Sequence, residues 1–111
     1  MNHVHAAITA IAQLLVAGDY RAVERMTDGR RLTAEQIEQA VLDYGNTLVP
    51  LPPEALDQAE VYPFEGDPGS CVAEVDLWTR EEGRSDLTLE VMLESRDDGG
   101  YDVSVRNIHV M

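Results

Sequence analysis

Hydrophobic residues recur at three- and four-residue intervals over the first 45 positions, which is the spacing of one face of an α-helix. The pattern predicts three helices, at about residues 3–17, 20–27 and 34–44. Gly18 and Gly45 supply left-handed helix stops, Asp19 supplies an N-terminal cap, and Thr33 with Gln36 makes a capping box. We therefore expect a wholly helical N-terminal layer.

The hydrophobic period changes to two after a proline-rich connection, and a period of two is typical of β-strands. Strands are expected at about residues 60–65, 71–78, 86–94 and 101–110. Pro63 confines the first strand to a sheet edge or a bulge, and a shift of pattern near Asn107 indicates a bulge in the last strand. The fold class predicted is α+β, with three N-terminal helices packed on one face of a four-stranded antiparallel meander.

The length of 111 residues fits one domain, residues 1–111, built around a single core. Its predicted parts are a helical layer (1–45), a proline-rich connection (46–58) and an antiparallel sheet (59–111). No stretch reaches the roughly 18 apolar residues that a membrane span requires, and the apolar start lacks a basic signal-peptide region. We expect a cytoplasmic protein that makes no contact with a membrane.

Acidic residues dominate the charge of the chain. There are 21 Asp and Glu against eight basic residues, all of them Arg, and the formal net charge is −13. Residues 56–111 hold 14 of the acids and only four of the arginines. Such a field repels nucleic acid and speeds encounter with a basic protein, although it also serves solubility alone.

The strand alternation predicts where these acids lie. If Leu87, Leu89 and Val91 face the helices, the opposite sheet face is rich in carboxylates and carries one tryptophan. That tryptophan is either an interface anchor or a cover for a helix end or the proline-rich connection. The residues predicted to bind a partner are Glu74, Asp76, Trp78, Glu81, Glu82, Arg84, Asp86, Glu90 and Asp102.

No catalytic residue, metal ligand or cofactor is predicted. The acidic corner between Thr79 and Leu87 has no histidine or activated nucleophile beside it in sequence. His3 and His5 are two apart, which is poor ligand spacing on a helix, and His109 reads as an ordinary strand histidine. The lone cysteine, Cys71, excludes an intramolecular disulfide and is expected in the core.

The segment DLWTREEGRSDLTLEV and the terminal NIHVM resemble a family of small uncharacterised bacterial proteins. The matching positions are Leu77, Trp78, Glu82, Gly83, Arg84, Ser85, Asp86, Leu87, His109 and Val110. The resemblance covers the last third of the chain, and the helical part only by order of elements. In outline the chain is also similar to nuclear transport factor two-like folds. By analogy, small acidic domains of this kind are often encoded beside bacterial toxins, where they serve as immunity proteins.

The functional expectation is a non-enzymatic acidic binding protein, namely a toxin-immunity-type inhibitor that docks a basic protein partner. The alternative is a small-molecule-binding domain with a pocket between helices and sheet, beneath Tyr20, Tyr44 or Tyr62. A homodimer formed through a sheet edge is a third possibility.

Overall fold

A computed structural model describes residues 2–28 and 30–110 of the chain. Within these ranges the elements are α1 (Asn2–Ala17), α2 (Tyr20–Met26), α3 (Ala34–Tyr44), β1 (Leu48–Val49), α4 (Pro53–Asp57), β2 (Glu60–Phe64), β3 (Asp67–Thr79), β4 (Gly83–Ser95) and β5 (Tyr101–Val110). The α+β class and the order of helices before sheet are confirmed. The sheet has one strand more than expected, because the two-residue β1 lies in the proline-rich connection.

The helix ends follow the capping residues read from the sequence. The Asp19 carboxylate accepts a hydrogen bond from the Ala22 backbone N–H at 3.2 Å. Thr33 and Gln36 bond each other's backbone N–H groups, which completes the capping box. Gly45 has a φ of 86°, the left-handed conformation that ends α3 at little steric cost.

The sheet is antiparallel throughout, and β3 pairs with three of the other strands. One edge of β3 pairs with β4, which pairs in turn with β5, while β1 and β2 pair with different parts of the other edge. The register shifts after Pro63, and again between Val105 and Asn107 opposite Glu90 and Val91, so both expected irregularities are confirmed.

The connection between β3 and β4 is shorter than expected. Thr79 pairs with Gly83, so the turn comprises only residues 80–82, and Gly83 adopts a left-handed φ of 73°. The prediction of an open corner reaching to Leu87 is therefore wrong in its extent. Arg84 pairs with Trp78 in the β3–β4 ladder, and Asp86 lies in β4 at the register shift of that ladder.

The core lies between the helices and one sheet face, which we call the inner face. Aliphatic side chains of α1, α2 and α3 pack there against those of β3, β4 and β5 in a single cluster. Ile11, Ile37, Leu77 and Leu89 are each at most 2% exposed. None of the helices in residues 2–28 and 30–110 is long and apolar enough to cross a bilayer.

The opposite sheet face, called the outer face, is not bare. Val72, Thr88, Met92 and Ser104 are buried on it. The connection between α2 and α3 sends two arginines to this face, and the Arg31 guanidinium lies 3.2 Å from the Met92 sulfur. The neighbouring guanidinium of residue 30 pairs with carboxylates of β4 and β5. The outer face therefore combines a covered apolar centre with a charged surround.

Candidate functional site

The β3–β4 turn is fastened to the segment that follows α3. The Glu81 carboxylate accepts hydrogen bonds from the backbone N–H and the hydroxyl of Thr47, at 2.9 and 3.0 Å. The Glu82 carboxylate accepts from the Tyr44 hydroxyl at 2.7 Å and from the Asn46 amide at 2.9 Å. Both acids were predicted to face a partner, and the structure gives each of them partners within the chain.

These hydrogen bonds favour the ionised carboxylates. The backbone N–H of Thr47 lowers the pKa of Glu81 below its usual value, and the Tyr44 hydroxyl does the same for the pKa of Glu82. The Glu82 carboxylate in turn raises the pKa of Tyr44. The turn is thus held by charge-assisted hydrogen bonds, which are strongest when both glutamates are deprotonated.

Replacing Glu82 by glutamine is expected to lower the midpoint temperature of unfolding at neutral pH. The midpoint temperature of the variant should also fall less steeply than that of the wild type as the pH is lowered. Because folding lowers the pKa of Glu82, its stabilisation is present above the ordinary value of 4.5 and is lost as the pH falls through the folded value. Circular dichroism melts from neutral pH to about pH 3 measure this. Glu38→Gln, on the exposed side of α3, is the control and should follow the wild-type curve. Parallel wild-type and Glu82→Gln curves would contradict the expectation.

Three further predicted partner residues form ion pairs within the chain. Arg84 Nε lies 2.7 Å from the Asp76 carboxylate, so both members of this pair are engaged. The Asp102 carboxylate lies 3.4 Å from the guanidinium of Arg30 and 3.3 Å from that of Arg96. These pairs are partly exposed and individually weak, but they reduce the charge that the outer face presents.

Trp78 and Asp86 differ in exposure. The Trp78 indole is half-buried, packs at the margin of the core and stands opposite Val49 of the proline-rich connection. Of the two interpretations of this tryptophan, this position favours a cover for the proline-rich connection over an interface anchor. The Asp86 side chain is exposed and has no hydrogen-bond or ion-pair partner in the described part of the chain.

Three glutamates stand directly opposite one another on neighbouring strands. Glu60 of β2 faces Glu74 of β3, which faces Glu90 of β4, and we call this set the carboxylate row. Like charges directly opposite in a sheet are destabilising. Arg106 lies 3.4 Å from one oxygen of Glu90 and offsets part of the repulsion at that end of the row.

A histidine completes a cluster at the same end. His109 Nε2 lies 3.4 Å from Glu90 Oε2, is shielded from solvent and makes no hydrogen bond of acceptable geometry. Donor atoms of Glu74, Glu90 and His109 all lie within 4.8 Å of one another. Sequence reasoning placed both glutamates on this face but missed the histidine, because only the strand register brings it there.

Edge strand β2 carries three exposed large apolar side chains. All five of its residues are exposed, including Val61 at 37%, Tyr62 at 45% and Phe64 at 39%. Among the described residues the strand pairs with β3 alone, so its outer edge offers unpaired backbone groups. The Tyr62 hydroxyl donates to the Glu60 carboxylate, and this bond raises the pKa of Tyr62 to about 12. No residue of this strand is among those predicted from the sequence to bind a partner.

A mostly apolar cleft of about 280 Å³ opens between the start of α1 and the inner face. Its lining is His3, Val4, Val61, Pro63, Gly69, Cys71, Leu93 and Tyr101. The rings of His3 and Tyr101 lie 5.0 Å apart, and burial raises the pKa of the Cys71 thiol. Two of the three tyrosines under which a pocket was expected border other clefts, of about 310 Å³ at Tyr20 and about 380 Å³ at Tyr44.

Comparison with known proteins gives one match. A family model described as Domain of unknown function (DUF7668) matches residues 12–111. No curated protein matches the chain, and no solved structure matches it. The likeness to nuclear transport factor two-like folds and the association with immunity proteins stay predictions.

Proposed function

The chain belongs to the family described as Domain of unknown function (DUF7668), and we propose that it is a non-enzymatic binding protein for a basic protein partner. The docking strip is β2, and the occupant is an extended segment of the partner that adds to this edge of the sheet. The observation that carries the proposal is that all five residues of β2 are exposed, among them the apolar side chains of Val61, Tyr62 and Phe64.

The backbone of β2 supports strand addition. An exposed edge pairs readily with another chain, and natural proteins normally protect such edges with charges, bulges or covering segments. Pro63 removes one N–H from β2 and a register shift follows it, but the apolar side chains remain open. Main-chain pairing supplies affinity in this mode of recognition, and side chains that alternate along the strand supply specificity.

Charge selects the partner. Glu60 and Glu65 flank the apolar side chains of β2, and the chain as a whole has a net charge of −13. A segment with apolar residues between arginines or lysines complements such a strip, and the field accelerates its approach. The carboxylates of Asp76, Glu82 and Asp102 have partners within the chain, so we assign them to this field rather than to direct contact.

The class of partner follows from the resemblance to small acidic bacterial proteins described above. Immunity proteins neutralise toxins by occupying them, and a negative inhibitor fits a positive toxin. We therefore propose that the partner is a basic toxin. Tyrosine and phenylalanine suit such an interface because aromatic anchors contribute much of the affinity in tight complexes.

Truncating Tyr62 and Phe64 together to alanine is expected to weaken partner binding by about tenfold or more without unfolding the protein, because both side chains are already exposed. The partner is captured from the native host, identified by mass spectrometry, purified and titrated by calorimetry. Leu42→Ala is the matched control, since Leu42 is 60% exposed on α3, away from β2.

The expected partner is basic, and its affinity for the wild type falls as salt is raised. An acidic partner, or one that binds the Tyr62→Ala/Phe64→Ala protein as tightly as the wild type, overturns the proposal. Concentration-dependent dimers that the same double substitution abolishes assign β2 to a second copy of the chain, and likewise overturn it.

A second candidate function rests on the cleft beneath α1. Its volume of about 280 Å³ is close to the lower limit for ligand pockets, and its lining is mostly apolar. This supports a small apolar ligand held between helices and sheet. Native mass spectrometry of protein purified from its host distinguishes the two candidates, since a ligand adds a small mass and a protein partner a large one.

A further inference from the structure

We propose that Glu74, Glu90 and His109 form a binding site for a divalent transition-metal ion of the zinc class. The three residues come from β3, β4 and β5, and their donor atoms lie within 4.8 Å of one another on the outer face. This site borders the docking strip on β2, because Glu74 pairs with Glu60 of that strand, but none of its three residues belongs to β2 and its existence does not depend on the proposed function.

The sheet register builds the site. Glu74 and Glu90 are directly opposite partners, and His109 pairs with Thr88, two residues from Glu90 on the same face. Donors around a tetrahedral ion with bonds of about 2.0–2.2 Å stand about 3.3–3.6 Å apart. His109 Nε2 and Glu90 Oε2 are already 3.4 Å apart, and a carboxylate oxygen of Glu74 lies within 4.8 Å of both, so the Glu74 side chain has to approach them to complete the set.

The histidine nitrogen also points to a ligand, although the His109 side chain as a whole is 33% exposed. His109 Nε2 is buried at the atomic level and has no hydrogen-bond partner in the described chain. Such orphaned polar atoms are rare in folded proteins, and each calls for a physical reason. A metal ion placed between the nitrogen and the two carboxylates satisfies it and relieves the repulsion across the carboxylate row.

Arg106 orients one of the ligands. Its guanidinium lies 3.4 Å from Glu90 Oε1, which leaves Oε2 directed at His109. Groups that hold the distal atom of a ligand commonly fix its geometry in metal sites. The guanidinium thereby helps to position Glu90 without contacting the ion.

The donor set indicates which ions fit. One imidazole nitrogen with two carboxylates suits zinc and its neighbours, whereas calcium and magnesium prefer oxygen donors alone. Three protein ligands also leave a fourth position open to water. We therefore expect zinc and cobalt(II) to bind more tightly than calcium.

The test uses the full chain, freed of metal with a chelator, and titrates it with zinc chloride at neutral pH by calorimetry. One ion is expected to bind per chain and to raise the thermal midpoint. Cobalt(II) should give the visible absorption of a tetrahedral complex. His109→Ala and Glu74→Gln should each lower zinc affinity by at least about tenfold. Glu94→Gln, which removes another carboxylate of the outer face, and His5→Ala are the controls and should bind as the wild type does.

Folded His109→Ala protein that binds zinc as the wild type does overturns the proposal, as does calcium binding of equal strength. If the variants fail to fold, NMR of the wild-type imidazoles decides the question. Zinc is expected to shift the His109 resonances first. Shifts confined to His3 and His5 place the ion at the N-terminus and overturn the proposed site.

Discussion

Truncating Leu89 to alanine is expected to lower the free energy of unfolding by about 2–5 kcal/mol. Leu89 has no exposed surface and lies in the middle of β4, directly opposite Val75 on one neighbouring strand and Ile108 on the other. Its side chain fills the core beneath the helices. The loss combines the transfer free energy of the removed carbons with the cost of the cavity left behind.

Urea denaturation followed by circular dichroism measures this change. The matched control is Leu42→Ala, because Leu42 is 60% exposed on α3. An exposed truncation of this kind should change stability by no more than about 0.5 kcal/mol. Equal effects at the two leucines would mean that the helices do not pack on the sheet as described.

The second large effect is expected at Ser85. Replacing it by alanine should lower the free energy of unfolding by about 1–3 kcal/mol. The Ser85 hydroxyl is buried, donates to the Leu77 carbonyl at 2.6 Å and accepts from the Leu87 N–H at 3.1 Å. The register of β3 and β4 shifts at this place, between Asp76 and Trp78. The hydroxyl replaces bonds that a regular ladder provides, so its removal leaves buried backbone groups unpaired.

Ser104→Ala is the matched control for that experiment. Ser104 is 1% exposed, and its hydroxyl has no hydrogen-bond partner within the described residues. Removing an unsatisfied buried hydroxyl should leave stability unchanged or raise it slightly. Thermal and urea unfolding of the two variants, measured side by side, decide the matter. Similar losses for both would contradict the assigned role of Ser85.

The sequence was informative wherever a local signal decides the structure. Gly45 and the Thr33–Gln36 pair fixed the limits of α3, since capping depends on residues only a few positions apart. Strand alternation likewise separated the inner from the outer face. β1 was not predicted, because a strand of two residues is too short to show a hydrophobic period. The β3–β4 turn was predicted to be too long, because polar strand residues such as Arg84 resemble those of a loop.

The candidate sites were less predictable, because they depend on contacts between distant residues. Tyr44, 38 positions away, supplies a hydrogen bond to Glu82, and no local pattern indicates it. The cluster around His109 requires the register of three strands, and a slip of one residue turns every side chain to the other face. The exposure of β2 was equally hidden, since it depends on which parts of the sheet the helices leave uncovered.

The hydrogen bond between Tyr44 and Glu82 has a consequence for the order of folding. The chain must close a loop of 38 residues before these two side chains meet, and such closure carries an entropic cost. Helices with local contacts assemble sooner than sheets with distant ones. We expect this hydrogen bond to form after the rate-limiting step of folding. Its removal by Glu82→Gln should therefore speed unfolding and leave the folding rate nearly unchanged.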